Sequence, residues 1–479
     1  MNKVSKGFIW SAIDRFSIQG VSFLLSILIA RIVSPSAYGL IVMIQVFLTI
    51  SQLFIDGGFA NALIQKKNRE EIDYYTVFIF NFVVAILLYV LFFILAPYIA
   101  AFYNEPQLTK LTRIISLNLV FSSLSIIQKT RLTISLDFKT QTKAGLISVI
   151  ISGVVGVCCA YMGLEVWALV IQSLLHQLLL SIFFMSYSRW IPKLQFSMRS
   201  FKGLFNYGSK LLVNNLLTSL MLQLYNLVIG KRFTSADLAY YNRGFTLSQF
   251  PSTNIADVMY RVVFPVLSDL QDEKEKLIDT YFKYLHLSNY IILPIMGLFF
   301  VLASPLVEIV LTAKWIPSVV YIQIITLNFI LYPWMQQSGA LIAAIGNSGL
   351  LLKAQILKRT VSFIILIATI GFGIEIMCWG FVVGAFFETA VNVYLDKREL
   401  GITFQKQIRS QIDVFVITLI MCLVVYFYTY LFNNIYIQLF GGVFIGLLVY
   451  LLLTCLLNIQ EKSIIESYFY SLLKNIRKN

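Results

Sequence analysis

The sequence predicts an all-α integral membrane protein. It has fourteen transmembrane helices: two six-helix lobes related by a pseudo-two-fold axis along the membrane normal, plus two C-terminal helices. Three observations carry this. Of 479 residues, 58% are apolar and only 13% are charged, against about 25% charged in an ordinary soluble domain. The lysines and arginines gather on alternate sides of the apolar runs. The first six runs are echoed by the next six.

A bilayer-spanning helix needs about 20 mostly apolar residues. Lys3 and Lys6 precede the first run, 9–30, and place the N-terminus on the cytoplasmic side. Ser34 to Ala37 makes a short outward turn before the second run, 38–62. Lys66, Lys67 and Arg69 mark the return inside, ahead of the third run, 76–102. The fourth, 109–128, comes back to Lys129, Arg131, Lys139 and Lys143. Gly163 to Glu165 joins the fifth, 144–162, to the sixth, 165–187, outside. An inner linker with Arg189, Lys193, Arg199 and Lys202 follows. The seventh and eighth runs, 205–229 and 239–265, have Lys231, Arg232 and Arg243 outside, then Lys274, Lys276 and Lys283 inside. The ninth and tenth, 283–311 and 320–345, flank Lys314 and lead to Lys353, Lys358 and Arg359. The eleventh and twelfth, 353–373 and 376–396, end at Lys397, Arg398, Lys406 and Arg409. The last two, 412–431 and 435–457, are joined by Asn433 and Asn434 and precede a tail with Lys462, Lys474, Arg477 and Lys478. Of 37 cations, 27 fall inside, 5 outside and 5 within runs. Shifting one helix anywhere would scramble that asymmetry, so fourteen spans with both termini cytoplasmic is the expected topology.

The net charge of +14 is accounted for by inner loops facing anionic headgroups, not by nucleic acid. Cys158, Cys159, Cys378, Cys422 and Cys455 all sit in apolar runs without metal-ligand spacing. The first run is too long for a signal peptide and carries Asp14 and Arg15. His176 and His286 lack a nucleophile or carboxylate at catalytic spacing. Outward loops are short, which argues against a polymerase or glycosyltransferase. No catalytic residue and no cofactor is expected.

The repeat is seen at an offset of 201. Gly7 aligns with Gly208, Asp14 with Asn215, Arg31 with Arg232, Ser34 with Ser235, and Asp56 with Asp257. Six spans separate the copies, so both halves share one orientation. Parallel repeats of this kind build transporters that rock two bundles around a central site. The lobes are expected at 1–202 and 203–411, with 412–479 outside the repeat.

Ser11, Arg15, Gln19, Ser22 and Ser26 share one helical face, and Asn215, Ser219, Gln223 and Asn226 repeat the idea. Such stripes line a watery cavity or bond helix to helix. Ionisable residues within spans include Asp56, Arg113, Lys210, Asp257, Arg261, Glu308 and Glu388. Asp257 and Arg261 have the i, i+4 spacing of a neutral pair. Asp56 precedes Gly57 and Gly58, which allow a close helix approach or a local break. Asp56, Asp257 and Glu388 are the candidates for binding a coupling ion.

These stretches also carry a family likeness. The telling ones are Trp10-Ser11-Ala12-Ile13-Asp14-Arg15, Ala30-Arg31-Ile32-Val33-Ser34-Pro35 with Tyr38-Gly39, and Phe54-Ile55-Asp56-Gly57-Gly58-Phe59 leading to Ala62-Leu63-Ile64-Gln65. Tyr240-Tyr241-Asn242-Arg243 and Phe264-Pro265-Val266-Leu267-Ser268-Asp269-Leu270-Gln271 follow. In them the chain resembles the polysaccharide exporters of the multidrug/oligosaccharidyl-lipid/polysaccharide (MOP) flippase superfamily, in the Wzx-like branch for O-antigen, capsule or colanic-acid units. The likeness runs over most of the chain and is strongest in 1–320. It implies two lobes around a cationic cavity in the bacterial inner membrane, and a polyprenyl-diphosphate-linked oligosaccharide as substrate. Membrane lipids and other glycan-assembly proteins are the implied partners. The substrate role falls on Arg15, Arg31, Arg243 and Arg261, with Gln19 and Asn215 on the polar stripes. An arginine's planar fork suits phosphate oxygens. The alternatives are a multidrug or cation antiporter of the same fold, a membrane-embedded polysaccharide polymerase or acyltransferase, and a non-transporting scaffold.

Overall fold

The computed structural model describes residues 3–457, with the backbone alone at 3–16, 214, 217, 218, 221 and 348. Each of the fourteen predicted runs is helical. The first half comprises α1 (Lys3–Ile32), α2 (Pro35–Asp56), α3 (Phe59–Gln65), α4 (Glu71–Tyr103), α5 (Leu108–Ile115), α6 (Leu117–Ile134), α7 (Phe138–Tyr161) and α8 (Val166–Ser188). Next come α9 (Met198–Arg232), α10 (Ser235–Asp269), α11 (Lys274–Val301), α12 (Ala303–Leu311), α13 (Ser318–Ile330), α14 (Tyr332–Ala344), α15 (Ser348–Thr369) and α16 (Ile374–Leu400). The short α17 (Phe404–Arg409) leads to α18 (Ile412–Leu431) and, after a π turn, α19 (Gly442–Leu456).

Four runs are split into two helices each. At Leu331 the cause is Pro333, which sits in the first turn of α14 and has no N–H to donate to the preceding turn. At Gly57 and Gly58 the cause is two successive left-handed residues. Among the described residues, ten spans are long and apolar enough to cross a membrane. The helices α9, α10 and α15 fall short of that measure, and of α1 the described stretch Ser17–Ile32 is a shorter apolar helix. These are the helices that carry polar stripes or inward cations.

The chain divides into two compact units, residues 1–239 and 240–479. The first unit includes α9, which packs along α2, α3 and α4. Within this unit α1 seats Ile18, Leu25 and Ile29 over Gly145, Gly153 and Gly156 of α7. Small residues let the two backbones approach, the usual means of helix association where lipid removes the hydrophobic drive. At the cationic end, Phe59, Leu63, Tyr74, Phe78 and Trp190 form a core cluster. There Trp190 Nε1 donates to Glu71 at 2.8 Å, as does Arg131 Nη1. At the other end the N-cap Ser34 of α2 donates its backbone N–H and hydroxyl to Glu165. The acid comes from the Gly163–Glu165 turn, two outward loops further along the chain.

In the second unit, α18 and α19 dock on α11. Leu298, Leu302, Ile417, Met421 and Tyr450 close an apolar core. Beside it His286 Nε2 meets the Asp413 carboxylate at 3.1 Å, and Asn289 donates to Gln411 at 2.8 Å. So His286 does have a carboxylate partner, on a helix too distant in sequence for local spacing to reveal.

Candidate functional site

The sharpest feature of the first unit is the break after Asp56. Gly57 (φ 54°) caps α2 and Gly58 (φ 72°) opens α3, both left-handed. A side chain in that conformation costs about 1–2 kcal/mol. Gly58 also lies against α9, where an added Cβ would sit 2.3 Å from the Gly208 carbonyl oxygen. Both sequence expectations for this glycine pair, the local break and the close approach, therefore hold together. The break frees the first N–H groups of α3, and the Asp56 carboxylate lies near that of Ala60. Its Oδ1 is buried without a hydrogen-bond partner.

That carboxylate borders a cavity of about 310 Å³. Gln52, Lys129, Thr130 and Thr133 supply its other polar walls, with Ile64 and Ile126 between them. Ser122 fixes the Gln52 amide by donating to Oε1 at 2.8 Å. The cavity thus offers an ammonium, hydroxyls, an amide and one carboxylate. Those groups suit the hydroxyls and anionic groups of a polar head. Sequence reading flagged Asp56 but took Lys129 only as a topology marker; Thr130 and Thr133, one turn apart on α6, were the overlooked signal.

The remaining candidates are spread over both units. The Arg15 side chain, like that of Ser11, lies outside the described residues. Gln19 and Ser22 are exposed on α1, beside the ridge that packs on α7. Ser26 is half-buried and donates to the Phe23 carbonyl. Arg31 is exposed in the last turn of α1, where a cation suits the helix dipole. Asn215 is exposed on α9, while Asn226 donates to Gln223 at 3.1 Å.

In the second unit Arg243 is buried, its guanidinium 5.5 Å from the Trp315 ring. Asp257 accepts from Gln336 Nε2 at 3.1 Å, and Arg261 is exposed. No ion pair joins Asp257 to Arg261 among the described residues. Glu388 faces Arg359 at 3.6 Å and Ser362 at 3.4 Å.

Glu388 begins a polar face on α16 that sequence reading missed further along. Asn392 accepts from the Lys358 ammonium, and Asp396 accepts from Ser338 at 2.6 Å, Gln407 at 3.3 Å and Tyr281 at 3.4 Å. Asp396 is fully buried, and so, nearly, is Lys358, which the topology count had placed in an inner loop. The i, i+4, i+8 spacing of Glu388, Asn392 and Asp396 was the available signal.

Apolar spans interleaved with helices too polar for lipid define a polytopic membrane protein. The fold is that of a lipid II flippase MurJ in an inward closed conformation, with a TM-score of 0.79 at 16% identity over 96% of this chain and 100% of that one. A multidrug resistance MATE family transporter of the MOP superfamily, inward-facing, follows the same fold with a TM-score of 0.61 at 15% identity, over 82% and 98%. The profile of the polysaccharide biosynthesis protein family matches residues 28–320, and the chain belongs to that family. Among its relatives is the lipopolysaccharide biosynthesis protein WzxC of Escherichia coli (strain K12), 25% identical over 74% of this chain and 73% of that protein. The teichuronic acid biosynthesis protein TuaB of Bacillus subtilis (strain 168) is 24% identical over 63% and 62%. The succinoglycan biosynthesis transport protein ExoT of Rhizobium meliloti (strain 1021) is 20% identical over 65% and 63%.

Proposed function

We propose that the chain is a flippase that carries polyprenyl-diphosphate-linked oligosaccharides from the cytoplasmic to the outer leaflet of the bacterial inner membrane, with both termini cytoplasmic. The observation that carries this reading is the family match over 28–320, set on a fold of fourteen helical runs. Such a protein needs no covalent chemistry. Its task is to lower the cost of drawing a charged, hydroxyl-rich head through hydrocarbon while the polyprenyl tail stays in lipid. Two lobes of six helices reopening from one side to the other would do this.

Arg15, Arg31, Arg243 and Arg261 are assigned to the diphosphate and acidic sugars, with Gln19 and Asn215 on sugar hydroxyls. Exposure of Gln19, Arg31, Asn215 and Arg261 supports the assignment. Arg243, packed beneath Trp315, fits a supporting role better than direct contact. Asp56, Asp257 and Glu388 are assigned to ion coupling. Of these, Asp56 borders the polar cavity, Asp257 accepts from Gln336 and Glu388 faces Arg359.

The test uses a strain whose own flippase is deleted. Expression of this chain should restore surface glycan and clear the lipid-linked precursor from the inner leaflet. A strain that regains drug resistance but no glycan would point to the antiporter reading. Transfer of radiolabelled sugar by the purified chain would point to the polymerase reading.

A further inference from the structure

A groove of about 400 Å³ runs between α15 and α16. It lies in the second unit, and none of the residues assigned above to substrate lines it. Small side chains open it: Ala354 and Ala390 stand where larger residues would fill the seam. Leu357, Val391 and Tyr394 make its walls. At one end it carries two cations, Lys353 and Arg398. The two helices are consecutive and antiparallel. Lys353 lies near the start of α15 and Arg398 near the end of α16, so both mark the end that the positive-inside pattern assigns to the cytoplasm. Lys353 makes no ion pair among the described residues. Arg398 meets only its neighbour Glu399, at 3.4 Å, and Glu399 also accepts from Asn347. The mouth is therefore net cationic. Leu352 and Ile356, 60% and 57% exposed, flank it on α15.

We propose that this groove binds one anionic glycerophospholipid of the cytoplasmic leaflet, its phosphate between Lys353 and Arg398 and an acyl chain along Ala354, Leu357 and Ala390. The chemistry is specific in both parts. Apolar walls beside a polar mouth fit a lipid and not a soluble anion. Two cations with one shared carboxylate favour a net negative head over a zwitterionic one. Basic pockets between transmembrane helices at the inner face recognise such heads. The inference rests on the membrane reading and its orientation, and not on the identity of the transported glycan.

The experiment delipidates the full chain in detergent and measures rebinding by native mass spectrometry. The probes are phosphatidylglycerol, phosphatidylcholine and undecaprenyl monophosphate. Phosphatidylglycerol should bind in preference to phosphatidylcholine. The double variant Lys353→Ala, Arg398→Ala should lose about thirty-fold of that affinity, since each cation near an anionic surface contributes on the order of a factor of five. Ala390→Leu keeps both charges but fills the groove, and should lose binding as well. Its thermal midpoint in lipid-free detergent should stay unchanged, so it carries the test should the double variant fail to fold. Equal binding of both phospholipids, or undiminished binding by either variant, overturns the proposal. So does displacement of phosphatidylglycerol by equimolar undecaprenyl monophosphate, which would assign the groove to the substrate's route. Because binding is read without export, a chain that exports no glycan can still pass or fail.

Discussion

Asp56 and Asp257 occupy the same place in the internal repeat, and their surroundings have diverged. After Asp56 come two glycines; the helix stops, turns left-handed twice, and the carboxylate lies near the first turn of the next helix. After Asp257 come Val258 and Met259, and α10 runs on unbroken to Asp269. Four residues beyond each aspartate the contrast continues. Ala60 has no polar side chain, whereas Arg261 offers an exposed guanidinium. One copy sets the acid at a broken helix beside a polar cavity. The other sets it on a continuous helix, where Gln336 donates to it. The difference lies in two backbone positions and one side chain, which is little sequence for a change of setting.

The largest expected effect breaks the first half of this comparison. Gly58→Ala forces a Cβ into both a left-handed residue and the Gly208 backbone, and should destabilise the purified protein by about 3 kcal/mol or more. The matching change in the second copy, Met259→Ala at a half-buried helical position, should cost only about 1 kcal/mol. Unfolding both in the same detergent checks this; equal losses would remove the break as a special feature.

Next comes export. Arg261→Ala should lower glycan export about tenfold or more, the usual scale for a lost charge-assisted contact, at unchanged protein level. Arg261→Lys should recover only part, because the charge remains without the bidentate fork. The double variant Asp257→Ala, Arg261→Ala should not recover export. Full export from it would reinstate the two residues as a mutually neutralising pair.

A smaller effect is expected at Asp56 itself. Asp56→Ala removes a polar group from the cavity wall and should cost about 1 kcal/mol, with Asp56→Asn nearer to wild type. Export that collapses in Asp56→Asn while stability holds would show that the ionised carboxylate has a transport role as well. The mildest test leaves energetics untouched. In a cysteine-free background, Thr133→Cys on the cavity wall should react with a water-soluble thiol reagent, and Thr326→Cys in the fully buried interior of the second unit should not.

Much of this architecture was legible beforehand, for reasons that differ by residue. The fourteen runs were readable because length and cation placement are both imposed by the bilayer. The Gly57–Gly58 break was readable because left-handed backbone leaves few choices of residue. Facing and long-range partners were not readable. The i, i+4 spacing licensed a pair between Asp257 and Arg261, but spacing does not set rotamers. Lys358 counted as a loop cation because the positive-inside rule weighs position along the chain, and not burial. Asp396 escaped notice because Ser338, Gln407 and Tyr281 reach it from three other helices.

The Gly58–Gly208 contact also sets an order of assembly. The ribosome makes α2 and α3 well before α9, and the two glycines are separated by 150 positions of chain. At roughly 5–20 residues per second, synthesis of the intervening stretch occupies on the order of 8–30 s. During that interval the left-handed turn sits in the membrane without the helix that later leans on it. The seam closes only when α9 has been inserted. A nascent chain truncated after α8 therefore carries every transmembrane run of the predicted first lobe and still lacks the contact that holds its broken helix in place.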